Sequence, residues 1–493
     1  MGDEFLERTS GGRTLFLYEK MRFATLRSSW LVMACALILY VAFPTRTYYW
    51  DGVLFSLNIE SVARGDASAA MLIHPNHLLF SGFGYLLYRG AAACGLAMRA
   101  IAVLQVFDML ASAAAAGLVY AIAKRVTQSA GAALACGVLF AFGATWWKFS
   151  TDADAYIPTV LLLLLTIWFA IQQPPRLVAA GACHTAAMLF HQLAIFTYAA
   201  IVTAILLDRR RSPGKRVSIC AAYVCGTSLC VGAAYWICYL QADHAAYPTL
   251  RRFIASYASD SGFTRSFAEL FTMYLASYGK LFAGGKLSLI REFFSPLTVT
   301  AFVVCAAALG FSVRQWRAVA KPEQADRRAL AILWAWLIPC AIFLALWDPG
   351  SAFHKLFAWP AIALLIGAYA ASRRERPWIG LAIGLAAWNF GAYIYPHAHA
   401  SADPVLTLAR RMDGEMPKNA TVYYAAFSPD DWYLDYFAPG RKWVRLAGAP
   451  AKEPFCAETT ALVALAPTEQ PAARWELVNS QHNIRVECFS GAR

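Results

Sequence analysis

Long apolar runs, each broken by charges, prolines or both, recur along the first four-fifths of the chain. They fall at 28–44, 99–123, 130–147, 156–171, 177–191, 193–207, 217–240, 296–313, 329–346, 356–371 and 378–395. A backbone amide has no water to bond in hydrocarbon, so a long apolar stretch crosses a bilayer as a helix. The pattern predicts an α-helical polytopic membrane bundle of about eleven transmembrane helices. The run 76–88 is also apolar, but Arg89 ends it too early to span, so it is expected to be an interfacial helix inside the first loop. From about residue 400 the pattern changes to short alternating segments. Helices are expected at 404–412, at 429–437 (opened by Asp430 and Asp431) and at 468–479, and strands at 421–425, 442–446, 461–466 and 484–489. That alternation predicts a small C-terminal α/β domain. The expected organisation is an N-terminal segment 1–27, a transmembrane domain 28–399 whose first outside loop is 44–98, and the α/β domain 400–493.

Composition sharpens this picture. Of 493 residues, 59% are hydrophobic and 15% charged, against roughly 45–50% and 25% in soluble proteins. A soluble enzyme, a disordered chain and a fibrous repeat are excluded. There are 43 Lys+Arg against 30 Asp+Glu, a net charge of +13. With the N-terminus inside, the inward-facing segments hold 21 of the 43, the outside loops 12 and the C-terminal tail 10. Short basic inside loops set orientation, so the basic excess is read as topology. No zinc-ligand spacing, helix-turn-helix pattern or basic stripe points to nucleic acid. Residues 1–27 carry Arg8, Arg13, Lys20, Arg22 and Arg27, and no small-x-small site follows the first apolar run. An uncleaved signal anchor in the cytoplasmic (inner) membrane is expected. An odd number of spans then places residues 400–493 outside. Cys456 and Cys488 are the only two of 12 cysteines away from spans, and an oxidising compartment predicts a disulfide between them. The other ten are expected to be small buried hydrophobes.

The candidate chemistry collects on the outside face. Asp51 follows Tyr48, Tyr49 and Trp50 directly after the first span, with Gly52 beneath it to let the backbone turn. It suits a general base at the membrane surface, or alternatively the N-cap of the following helix. His74-Pro75-Asn76-His77 offers two imidazoles to a sugar or phosphate, or merely solvates a helix start. Lys148, Asp152, Asp154 and Tyr156 share one short loop. Two ionised carboxylates there need a cation, supplied by Lys148 or by a divalent metal. His191 ends a span, and Asp108 and His184 lie inside spans, where ionisable groups are functional candidates. Asp108 and His184 are equally well explained by bonding each other or the backbone. Arg251, Arg252, Arg265, His354 and Lys355, beside Asp348, could hold a phosphate at headgroup level, or simply bind anionic lipids of the membrane.

These residues carry a family resemblance. Trp50-Asp51-Gly52 followed by His74-Pro75, the segment Thr145-Trp146-Trp147 through Asp154-Ala155-Tyr156, and His191 at a span end resemble the GT-C superfamily of membrane glycosyltransferases. The branch they resemble is the bacterial protein O-mannosyltransferase-like proteins. The similarity covers roughly residues 28–210. The family's Asp-Ser-Gly-Glu stands here as Asp51-Gly52-Val53-Leu54, so the acidic partner three residues after the aspartate is absent. The resemblance implies a polyprenyl-phosphate-linked sugar donor, a protein, lipid or polysaccharide acceptor, and inverting transfer on the outer membrane face with Asp51 as base. Read together with the residue chemistry above, substrate-binding roles are expected for His74, His77, Lys148, Asp152, Asp154, Tyr156, His191, Arg251, Arg252, His354 and Lys355. A flippase for a lipid-linked sugar and a non-catalytic assembly subunit of the same fold are the alternatives.

Overall fold

A computed structural model describes residues 27–256, 266–316 and 325–403, and parts of the segment 404–489. Eleven apolar helical segments stand at the expected positions. They are α1 (Arg27–Ala42), α4 (Ala100–Thr127), the pair α5 (Ala130–Phe142) and α6 (Ala144–Ser150), α7 (Tyr156–Ala170), α8 (Leu177–Phe190), α9 (Tyr198–Leu206, continuing a 3-10 turn Gln192–Thr197), α10 (Pro213–Gln241), α14 (Pro296–Trp316), α15 (Arg327–Trp347), α16 (Trp359–Ser372) and α17 (Glu375–Asn389). Among the described residues five helices are long and apolar enough to cross a membrane alone, and α5–α6 adds a sixth as a broken span. The first loop carries α2 (Trp50–Arg64) and α3 (Phe80–Ala93); the loop 241–295 carries α11 (Leu250–Ile254), α12 (Phe267–Phe282) and α13 (Leu287–Glu292). Of the ten cysteines in or near spans, only Cys136 and Cys340 are buried by protein. The expectation that all ten pack inside fails, because a lipid-facing surface accepts an apolar side chain as readily as the core does.

One deformation positions the site. The run 130–147 is not a single straight span: α5 and α6 meet at 63°. Gly143 stands at the break, where a Cβ would lie 2.6 Å from the Trp359 ring. A bend in the bilayer frees carbonyls that need partners. Here Trp359 Nε1 donates to Phe140 O (3.0 Å), the Tyr40 hydroxyl to Ala141 O (2.8 Å) and Asn389 Nδ2 to Phe142 O (2.8 Å). Three spans therefore hold the kink that aims α6 and the turn 151–155 at the first loop.

Beyond the bundle lies a five-stranded sheet of order β2-β1-β3-β5-β4. Its strands are β1 (Thr421–Tyr424), β2 (Lys442–Arg445), β3 (Phe455–Glu458), β4 (Ala473–Val478) and β5 (Asn483–Phe489), with α18 (Asp430–Phe437) between β1 and β2. The first three strands are parallel; β3–β5 and β5–β4 are antiparallel. The helix expected at 468–479 is instead β4. Ala, Arg, Glu and Leu favour a helix locally, but pairing with β5 decides the segment, as cross-strand packing often overrides propensity. The strand expected at 461–466 lies outside the described residues apart from Ala461, which is helical, and β3 was not anticipated. The helix at 404–412 is described only in part. Cys456 and Cys488 face each other across the β3–β5 register and are joined in a disulfide.

The sheet layer grips the first loop through α18. Buried Glu60 accepts from Arg99 Nε (2.8 Å), Ala100 N (2.9 Å) and the Tyr436 hydroxyl (2.7 Å). Arg99 also lies 4.0 Å over the Tyr436 ring, and the Tyr433 hydroxyl donates to the Tyr48 carbonyl. The start of α2 is thus held from above as well as from the bundle.

Candidate active site

Three segments meet at one end of the bundle. Gln105, buried on α4, donates from Nε2 to Thr45 O (3.0 Å) and Thr151 O (2.8 Å), tying the first loop to the 151–155 turn. Asp152 completes the tie. Its Oδ2 accepts from Tyr49 N (2.9 Å) and pairs with Lys148, and its Oδ1 accepts from Ala153 N (2.9 Å). Asp152 and Lys148 are both buried. Their charges balance each other, so this pair is an architectural fastening beneath the first turn of α2. Gly52 is the contact point: a Cβ there would lie 2.2 Å from the Ala153 carbonyl oxygen. Its smallness is needed for close approach, not for a backbone turn. The N-cap position of α2 is Tyr49, with Asp51 inside the first turn. The reading of Asp51 as a helix cap is therefore corrected.

This packing sets Asp51 beside Asp154. Asp154 is buried; its backbone N–H donates to Asp108 (2.6 Å), and its Oδ1 accepts from Tyr156 N (3.0 Å). Its Oδ2 is buried with no partner among the described residues. Burial, and then the charge of Asp51, hold the Asp154 carboxyl well above the usual carboxylate range. Asp51 is only partly enclosed, and burial pushes it up to about 7. An ionised Asp51 makes a second charge on the more deeply buried Asp154 harder to form, so the more exposed Asp51 is the member suited to ionise.

Around the pair stands a wall of rings. Tyr156 has its centroid 5.1 Å from His191, 5.7 Å from Phe353 and 5.9 Å from His354. His77 lies 4.7 Å from His191 and 5.1 Å from His74. His191 Nδ1 accepts from Leu193 N (3.0 Å), which puts its proton on Nε2. His77 Nδ1 meets the Phe190 carbonyl at 3.2 Å. Burial pushes His74 down to about 4 and His77 well below its ordinary value, so both are neutral at pH 7. His354 Nδ1 donates to Asp348 Oδ2 (2.7 Å). Burial alone would raise Asp348, but His354 and Lys355 hold it below the usual range. Burial also lowers His354, against the pull of Asp348.

The other expected residues are placed differently. Lys355 is buried and donates to Pro349 O (2.8 Å) and Ser351 O (2.9 Å). It shapes the turn that carries His354, and burial pulls its ammonium down to about 8. Arg251 and Arg252 are exposed on α11, and no described contact links them to the carboxylates and histidines. Arg265 lies outside the described residues. Among the described residues no three His, Cys, Asp or Glu side chains are grouped to hold a metal ion. Inside the spans, His184 bonds Ala194 O (3.0 Å) and Tyr223 (3.2 Å) rather than Asp108. Sequence reasoning missed Gln105, Phe353 and the Glu60–Arg99–Tyr436 clamp, and read Tyr49 only as part of an interfacial aromatic run. Within the clamp, Glu60 in the first loop and Arg99 just after it gave the signal, as charges beside apolar runs.

No family model matches the sequence, and no curated protein does either. Solved structures that share its architecture include two of ArnT. ArnT from Cupriavidus metallidurans bound to undecaprenyl phosphate superposes with a TM-score of 0.57 at 14% identity, covering 93% of this chain and 97% of that one. The apo state of the same protein gives 0.56 at 14%, covering 94% and 98%. The chain shares the fold of these structures, and the 93% coverage carries that likeness of fold past residues 28–210 into the C-terminal layer.

Proposed function

We propose that this chain is an integral-membrane glycosyltransferase that moves a sugar from a polyprenyl-phosphate donor to an acceptor hydroxyl with inversion, on the outer face of the cytoplasmic membrane. The observation that carries the reading is the Asp51–Asp154 pair: a partly exposed carboxyl raised to about 7, beside a buried one held well above the usual carboxylate range. The GT-C-type fold, and the undecaprenyl phosphate held by ArnT, support a lipid-linked donor. In the proposed step the acceptor oxygen attacks the anomeric carbon, its proton passes to Asp51, and the carbon–oxygen bond to phosphate breaks with its electrons leaving on phosphate. Phosphate is a weak base, so no general acid is required. Nε2–H of His191 supplies a neutral donor for the departing oxygens, and the Asp348-supported His354 stands beside it.

A flippase would place ionisable groups along a path through the spans. His184 instead bonds the Ala194 carbonyl, and one Asp108 oxygen accepts from Asp154 N in the turn of the candidate site, which favours the enzyme. The test is release of polyprenyl phosphate from a polyprenyl-phosphate sugar by the purified chain. Asp51→Asn should lose about 10²–10⁴-fold in turnover while donor binding persists. Wild-type turnover in Asp51→Asn would remove Asp51 as base. Donor bound by the wild type but never consumed would favour the assembly-subunit alternative.

A further inference from the structure

The end of the bundle opposite the carboxylate pair holds a second concave site. It is a cleft of about 430 Å³ whose lining includes Gln173, Asp208, Arg209, Arg210, Arg327 and Arg328. That volume lies within the roughly 300–1,000 Å³ typical of small-ligand sites. The four arginines come from two separate stretches, the turn after α9 and the first turn of α15. Inward-facing loops are generally basic, but that rule alone requires neither a cavity nor convergence of distant segments upon it.

The partners within the cleft leave a cationic remainder. Asp208 pairs with Arg211 (3.3 Å), which stands outside the lining set. Arg328 is half-buried and spends its guanidinium on the ends of two spans, bonding Ala170 O (3.4 Å), Ile171 O (3.4 Å) and Ala204 O (3.2 Å). Arg210 bonds the Gln173 amide (3.2 Å). Among the described residues, Arg209 and Arg327 make no ion pair. Planar guanidinium groups around a headgroup-sized hollow match the tetrahedral oxygens of phosphate, which they bind through two parallel hydrogen bonds each.

We propose that this cleft is a phosphate-binding site, distinct from any donor site at the carboxylate end. The two ends are separated by the 15 residues of α7, about 22 Å at helical rise. A phosphate held here therefore belongs to another molecule than one reacting at Asp51. The shared chemistry is a phosphate ester or free phosphate; its source is a lipid headgroup in the facing leaflet or a soluble anion, and the proposal does not depend on the glycosyltransferase reading.

The test uses the full chain in neutral detergent. Native mass spectrometry titrates it with short-chain phosphatidylglycerol, with zwitterionic phosphatidylcholine, and with inorganic pyrophosphate. Wild type is expected to bind one anionic molecule saturably. Arg209→Gln/Arg327→Gln should weaken that binding by about ten- to a hundredfold, the scale of losing charged hydrogen bonds. Arg373→Gln/Arg376→Gln, exposed at the same end but outside the cleft, should bind as wild type. Binding of phosphatidylglycerol but not pyrophosphate identifies a lipid headgroup; binding of both, lost together in the variant, identifies a general phosphate site. Equal affinity in wild type and the cleft variant, or no saturable anion binding by wild type, overturns the proposal. Arg209→Lys/Arg327→Lys guards against misfolding. It keeps the charge and should recover part of the affinity, and no recovery in a monodisperse protein counts against a phosphate site.

Discussion

Gly52→Ala is the substitution for which sequence and structure disagree most sharply. Gly52 lies in the first turn of a 15-residue helix, where alanine normally gains about 0.5–1 kcal/mol over glycine. In the folded protein the added methyl would lie 2.2 Å from the Ala153 carbonyl oxygen, so α2 or the turn must retreat by about 0.8 Å to reach even 3.0 Å. Neither side yields easily, because Asp152 bonds both Tyr49 and Ala153 and the obstructing atom is backbone. Forcing a methyl into packed space costs about 1–3 kcal/mol. The net loss of stability is therefore small, up to about 2 kcal/mol. The effect on chemistry is larger, because a base displaced by about 1 Å can cost 10²-fold. We expect kcat/KM to fall about 10–100-fold, with the melting profile in detergent and donor affinity little changed. Gly82→Ala is the control, since nothing lies within 4 Å of its added methyl. Activity in Gly52→Ala within about threefold of wild type would refute both the contact and the placement of Asp51.

Three further outcomes follow from the same geometry. The base must be ionised, and burial raises Asp51 to about 7; a raised carboxyl loses its proton as pH rises, so kcat/KM should climb with unit slope through about pH 7 and level above it, whereas a profile flat from pH 5 to 8 would contradict the assignment. Lys148→Met leaves Asp152 charged and buried without its cation, which should cost about 3–5 kcal/mol in chemical denaturation of the purified protein; a loss below 1 kcal/mol would show that the pair is not fastened as described. Cys456→Ser should destabilise the sheet layer by about 2–4 kcal/mol, measured by limited proteolysis of the C-terminal region with and without reductant, and equal protection of wild type and variant would count against a stabilising bridge.

The sequence alone determined the bundle. Period, length and charge of the apolar runs fix spans and their alternation, because hydrocarbon leaves the backbone no other solution. The Trp-Asp-Gly segment, the Asp-x-Asp turn and His191 were legible for the same reason: polar groups at span ends have few innocent explanations. The sequence was weaker where long-range pairing decides. Residues 473–478 form a strand because β5 lies beside them, and no window of helix-favouring residues contains that fact. The roles within the polar turn also depended on tertiary structure. Asp152 and Asp154 differ by two positions, yet the first pairs with Lys148 and accepts from Tyr49 N at the start of α2, while the second accepts from Tyr156 N and is raised by burial and by the charge of Asp51. Lys355 and Arg251 carry the same charge in the sequence, but one is buried against carbonyls and the other exposed to solvent. Local sequence specifies which chemistry is present; desolvation and partner geometry, which arise only on packing, specify which of those groups are available to react.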